Sequence, residues 1–186
     1  MKHKILVIIE DNFNDIELTT TLSCLVKANP DIVIDYFHPS LKKATGQYKI
    51  ANVLDIKNQI EDLSQYILIF IPGGKGAQSL RENKKSLEII KKFNGIVGAI
   101  CDAPNVLRES QILDENTSYS SFPSDWAKVY FSKKRNDNYV TNSKDSKHFV
   151  TAKCADASMA LGYELVSILY GPEGVKLLDL GMKAIK

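Results

Sequence analysis

Cysteine is scarce in this sequence: Cys24, Cys101 and Cys154 are its three, widely spaced, with no C-x-x-C pair and no histidine at ligand spacing. That pattern argues against a disulfide framework and a zinc site, so no metal is expected. Long apolar runs are missing as well. No stretch approaches the ~18 residues of a membrane-spanning helix, and Met1-Lys2-His3-Lys4-Ile5 enters a strand-like run without the apolar core of a signal peptide. An excess of one charge is also lacking. Lys plus Arg number 24 and Asp plus Glu 22, scattered to a net +2, so nucleic acid is not an expected partner. The densest basic tract, Ser132-Lys133-Lys134-Arg135, runs at once into Asn136-Asp137-Asn138 and reads as a solvated hairpin turn. Repeats, low-complexity tracts and linkers are absent. With 186 residues, the chain is expected to form one domain over 1–186, cytoplasmic, with reduced thiols.

What is present is an alternation of strand and helix patterns. Ile5-Leu6-Val7-Ile8-Ile9 is apolar on both faces, as a central parallel strand must be. Residues 14–28 carry apolar side chains at helical spacing, with Asp11, Asn12 or Asn14 as N-cap and Asn29-Pro30 as the stop. Strands are then predicted over 32–37, 67–71 and 96–100, with a β-excursion over 43–56. Helices are predicted over 77–93, broken near Asn83, and over 103–110. Short extended segments are predicted at 118–123, 129–131, 139–141 and 148–151. A helix over 155–169, closed by Gly171-Pro172, precedes a last one over 172–183. The fold class that follows is α/β: a doubly wound, mostly parallel sheet flanked by helices.

Ligands of such sheets bind at the C-terminal strand ends, and three of these ends carry unusual residues. Cys101 follows a buried strand and precedes Pro104 in a helical first turn, the outline of a nucleophile elbow, which exposes a thiol and aims a helix N-terminus at it. Gly73-Gly74 bring backbone N–H groups to a pocket, where they can hold an oxyanion. Glu17, between Ile16 and Leu18, lies deep enough for burial to favour its protonated form, and a neutral carboxyl can donate a hydrogen bond to a thiolate. Glu10, Asp11 and Asp15 read as acids that complement the helix dipole, and Cys24 reads as core. An Asp beside the thiol, Asp102, would raise its pKa unless the carboxylate is bound elsewhere.

Taken in order, Asp15-Ile16-Glu17, Pro72-Gly73-Gly74, Ala99-Ile100-Cys101-Asp102-Ala103-Pro104 and Thr151-Ala152-Lys153 resemble the motifs of the ThiJ/PfpI superfamily, which includes the parkinsonism-associated deglycase family. The resemblance covers essentially the whole chain. It implies a flavodoxin-like three-layer sandwich of the class I glutamine amidotransferase type, a catalytic pair Cys101 and Glu17, and an oxyanion or pocket set of Gly73, Gly74, Asp102, Phe122, Lys153 and Cys154. Of these, Cys154 reads either as a second thiol near Cys101 or as a buried core residue. The resemblance also implies a homodimer, and Lys49 is weighed as a cation reaching a partner's pocket. No cofactor is implied.

The expected function is that of a cysteine-dependent small-molecule enzyme of the glyoxalase or deglycase type, acting on 2-oxoaldehydes. The alternative is an oxidative-stress sensor or chaperone-like protein, whose Cys101 is oxidised to a sulfinate that Glu17 stabilises. A cysteine peptidase or amidohydrolase ranks third. Many relatives place a His beside the Cys or about twenty residues later, whereas this chain has Asp102 and Ser121-Phe122-Pro123, and His3, His38 and His148 lie in segments with no evident route to the elbow.

Overall fold

A computed structural model describes residues 4–185, so His3 lies outside the described residues. The first strand, β1 (Lys4–Ile8), shows why an all-apolar run suits a central position. Ile5, Val7 and Ile9 enter one core while Leu6 and Ile8 enter another on the opposite face of the sheet. The chain continues through α1 (Asp15–Ala28), β2 (Val33–Phe37) and a small antiparallel excursion, β3 (Ala44–Thr45) with β4 (Asn52–Val53). It returns through β5 (Tyr66–Ile71), α2 (Ala77–Glu82), α3 (Lys84–Lys92), β6 (Ile96–Ile100) and α4 (Ala103–Glu109). Short strands β7 (Tyr119–Ser120), β8 (Arg135–Asn136), β9 (Val140–Ser143) and β10 (Phe149–Ala152) lead to α5 (Ser158–Met182).

The main sheet has the order β2-β1-β5-β6-β10-β9, parallel except for the antiparallel edge strand β9. Leu18, Leu22, Leu161 and Leu165 bring α1 and α5 onto one face. Leu80, Ile90, Val106 and Leu107 bring α2, α3 and α4 onto the other. This is the doubly wound, three-layer α/β sandwich expected. The chain reverses its direction of winding between β1 and β5, which places a crevice at their C-terminal ends, with that of β6 alongside.

Local details follow the sequence with two corrections. Asn83 does divide α2 from α3, its side chain accepting the Ser86 N–H as the cap of the second helix. Gly171 breaks α5 with φ 63° and ψ −161°, just before Pro172. The predicted strand at 129–131 is absent; residues Asp125–Tyr130 form a 3₁₀ helix instead. Val129 is 83% exposed, so its β-branched side chain has no sheet to join. The tract at 132–138 turns as expected, but Arg135 is no solvated charge. Its guanidinium donates to Ser121 Oγ at 3.0 Å and to Ser121 O at 2.8 Å, and it stacks 4.7 Å from the Phe131 ring centre.

Candidate active site

Cys101 is the first residue after β6, and its φ of 65° puts a non-glycine residue in the left-handed region, at a cost of order 1–3 kcal/mol. Two neighbours hold it there. Its N–H donates to Ala152 O at 2.9 Å, and its own carbonyl accepts from Phe122 N at 2.8 Å. The turn points the thiol into a cavity of about 510 Å³ walled by Glu17, Gly74, Asp102, Phe122, Trp126 and Cys154. A larger groove of about 640 Å³ lies along the outside of α1, but it has no thiol, carboxylate or imidazole in its walls.

Glu17 reaches the thiol because of how α1 begins. Asn14 caps the helix, its Oδ1 accepting from Ile16 N at 3.0 Å and Glu17 N at 3.4 Å. In a capping box the glutamate at this position would fold back onto the cap's own N–H. Here Asn14 N donates to Gly73 O at 3.0 Å, and Glu17 Oε2 accepts the Gly73 N–H at 2.7 Å. Gly73 is thus gripped from both sides. The Glu17 carboxyl is fully buried against Cys101, and its Oε1 has no N–H or hydroxyl donor. Burial pushes Glu17 up to about 7, against the pull of the Gly73 N–H.

The thiol does not show the simple lowering expected of an elbow. Burial, and then the charge of an ionised Glu17, push Cys101 upward, while the N–H groups of Gly74 and Asp102 pull it down. Charge on either acid disfavours charge on the other, so the pair holds at most one negative charge. Thiolate character therefore requires the proton to sit on Glu17. Asp102 does not oppose this. Despite its burial, its carboxyl is held below the ordinary range by Arg81 at 2.8 Å, Asn105 at 2.8 Å and Ser124 at 2.8 Å. Its Oδ2 also accepts from Trp126 Nε1 at 3.2 Å, tethering an indole that stands 58% exposed at the cavity mouth.

The structure thus gathers Cys101, Glu17, Gly74, Asp102, Phe122 and Cys154 around one cavity. Two residues expected there are not in its walls. The Gly73 N–H is spent on Glu17, and the Lys153 ammonium pairs with Asp137 at 3.4 Å. Cys154 is half-buried at the cavity wall, not a core residue. Cys24 is core, its thiol 3.5 Å from Met159 Sδ. Asp15 and Asp11 do more than face a helix dipole. Asp15 accepts the N–H groups of Tyr48, Ile50 and Ala51, and Asp11 accepts Thr45 N, so together they clamp the β3–β4 excursion. That excursion delivers Gln47 and Tyr48 to the cavity, whereas Lys49 sits exposed on the turn beside it.

His38 accepts two backbone N–H groups at Nδ1, which leaves Nε2 as the donor to Glu10 Oε2 at 3.1 Å. His148 contacts Asn142. Neither lines the cavity. Among the described residues, no cluster of three His, Cys, Asp or Glu side chains is arranged to hold a metal ion, and no helix is long and apolar enough to cross a membrane. Arg81, Ser124 and Trp126 escaped sequence reasoning. Their one signal was the unmatched acid at Asp102, which needed a partner.

Comparison with known proteins gives the same outline. An uncharacterized Mycoplasma genitalium protein, MG029, is 39% identical over 64% of this chain and 66% of its own length. The Caenorhabditis elegans glutathione-independent glyoxalase DJR-1.2 is 27% identical over 92% of this chain and 91% of its own. Other relatives are named deglycase, as in Thermococcus kodakarensis, or putative cysteine protease, as in Bacillus subtilis. The structure of oxidized Toxoplasma gondii DJ-1 superposes with a TM-score of 0.79 at 20% identity, covering 97% of this chain and 98% of that one. The sequence model of the DJ-1/PfpI family matches residues 3–168, and the chain belongs to that family.

Proposed function

We propose that this protein is a glyoxalase-type enzyme that converts small 2-oxoaldehydes to 2-hydroxy acids, with Cys101 as nucleophile and Glu17 as proton carrier. The observation that carries this reading is the buried Glu17 carboxyl against the Cys101 thiol, poised at about 7 by burial. A carboxyl of that acidity both gives and takes protons near neutrality, which general acid–base catalysis requires.

In the first step, the Cys101 sulfur adds to the aldehyde carbon and the carbonyl oxygen takes a proton from Glu17, giving a hemithioacetal. The N–H groups of Gly74 and Asp102, directed at the sulfur, stabilise the thiolate before it attacks and again when it leaves the thioester. The Glu17 carboxylate then removes the proton from the former aldehyde carbon, leaving an enediolate, and returns that proton to the neighbouring carbon while the hydroxyl proton passes from the first oxygen to the second. The product is a 2-hydroxy thioester on Cys101. Water cleaves it, releasing the 2-hydroxy acid and the free thiol, so that methylglyoxal plus water becomes lactate. Relatives named glyoxalase and deglycase support the substrate class.

The test is methylglyoxal consumption with lactate measured as product. Cys101→Ser is expected to lose it completely; undiminished turnover would overturn the assignment. A second reading, a peroxide-sensing thiol, is favoured by the same partly exposed sulfur facing a carboxyl. Oxidation confined to Cys101 without aldehyde turnover supports that reading instead. Peptidase chemistry is disfavoured because neither His38 nor His148 lines the cavity.

A further inference from the structure

We infer that Cys154 is the resolving thiol of Cys101: peroxide oxidation of Cys101 ends in a disulfide between the two, formed across the cavity and reopened by a dithiol reductant. The inference rests on the reading of Cys101 as an accessible nucleophile and is independent of aldehyde turnover.

The strand ends bring the two residues together. In the parallel pair β6–β10, Ile100 lies opposite Ala152, and the Cys101 N–H donates to Ala152 O at 2.9 Å. Cys154 is two residues further on. Neighbouring strands lie about 4.8 Å apart and a disulfide spans Cα separations of about 4.4–6.8 Å, so two residues one position out of register at adjacent strand ends are within its reach. The faces match as well. Val150 and Ala152 pack into the core beneath α1 and α5, and Cys154, with an extended backbone at φ −161° and ψ 174°, continues their alternation. Strand alternation alone would send Cys101 to the other face, with Val97 and Ala99. Its left-handed φ brings it round to the side of Cys154, and both thiols pack against the same core and line the same cavity. Both are partly exposed, while Cys24 is sealed in the interior.

The chemistry balances with hydrogen peroxide as oxidant. The Cys101 thiolate attacks a peroxide oxygen, the O–O bond breaks, the leaving oxygen departs as water after taking a proton, and the sulfur becomes a sulfenic acid. The Cys154 sulfur then attacks that sulfur, the S–O bond breaks, a second water leaves and the S–S bond forms. A dithiol returns two electrons and two protons and is itself oxidised. Without a resolving thiol the sulfenic acid is open to further oxidation to the sulfinate, which most reductants cannot reverse.

The experiment treats the reduced full-length protein with one equivalent of hydrogen peroxide, then alkylates it and maps its peptides by mass. Of three free thiols, two are expected to disappear, with Cys101 and Cys154 peptides joined, and dithiothreitol is expected to restore both. Cys154→Ala is expected to gain oxygen atoms on Cys101, and dithiothreitol does not then restore the fraction that has reached the sulfinate. Cys154→Ser serves if the Ala variant does not fold. Oxygen gained on wild-type Cys101 while Cys154 still alkylates overturns the inference. So does a disulfide that joins two chains on a non-reducing gel. Methylglyoxal turnover in the reduced wild type separates the two readings: turnover without the disulfide sinks this one alone, and the disulfide without turnover sinks only the glyoxalase assignment. A Cys101 that iodoacetamide never labels overturns both.

Discussion

The Gly73 N–H donates to Glu17 Oε2 at 2.7 Å, so the loop glycine orients the acid that faces Cys101 and does not itself greet a substrate oxygen. The remaining backbone donors near the sulfur, Gly74 and Asp102, then carry the electrostatic work at the thiol. This division of labour makes the site sensitive to residues on either side of the loop.

Glu17→Gln separates nucleophilicity from proton transfer. The amide keeps an oxygen for the Gly73 N–H and removes the ionised carboxylate, the charge that pushes the Cys101 thiol upward. The midpoint of Cys101 alkylation against pH is expected to move down. Methylglyoxal turnover, in contrast, is expected to fall about 100-fold or more, the usual contribution of a positioned acid–base group. Alkylation and turnover that fall together would contradict the proton-carrier role.

The same substitution changes stability with pH. Glu17 has its folded-state pKa raised from 4.5 to about 7, so its contribution is fully present below about 4.5 and is lost as pH rises through 7. Over that window the wild type is expected to lose up to about 3 kcal/mol from this group, at 1.36 kcal/mol per pKa unit. Urea denaturation at pH 4.5 and pH 8 checks it. The Gln variant should show a flatter profile, and parallel profiles would rule the burial effect out.

Gly73→Ala tests the tightness of the loop. An added methyl would stand 2.7 Å from Ile100 O, 2.8 Å from Cys101 Cβ and 2.9 Å from Glu17 Oε2. Ile100 O and Cys101 Cβ are fixed by the backbone and cannot swing away, and the third atom is the carboxyl tip itself, so the clash is expected to lower stability by about 1–3 kcal/mol and to displace the carboxyl from the thiol. Thermal denaturation and the pH profile of Cys101 alkylation should both shift.

Arg81→Ala should be among the most damaging substitutions outside the cavity wall. Arg81 grips Asp102 through Nη1 at 2.8 Å and Glu109 through Nε and Nη2 at 2.7 Å each. Its removal leaves the buried Asp102 carboxylate without its cation, a loss expected to approach 3–5 kcal/mol. Charge released beside the elbow should also slow Cys101 alkylation at neutral pH. Arg81→Lys keeps a cation but not the planar fork, and intermediate values of both readouts are expected.

Much of this was legible because local pattern and tertiary role agreed. Ile96–Ile100 followed by Cys101 and Pro104 reads as strand, elbow and helix from spacing alone, and Asn14 with Glu17 marks the start of α1. Legibility ended where a side chain takes its meaning from a distant partner. Gly73 meets Glu17 across 56 positions, and Asp102 meets Arg81 across 21. The resemblance implied Lys153 as a pocket residue, yet its ammonium pairs with the exposed Asp137 at 3.4 Å. Val129 and Tyr130 were misread because β-branched and aromatic residues signal a strand only where a sheet edge is available to them.

The backbone at Cys101 has one more consequence. At φ 65° a glycine would sit without the steric penalty that any side chain meets there. Selection acting on stability and selection acting on chemistry therefore pull in opposite directions on a single dihedral angle. A lineage released from the need for the thiol would find glycine at this position the easier residue to keep, and the elbow would outlive its nucleophile as a plain turn.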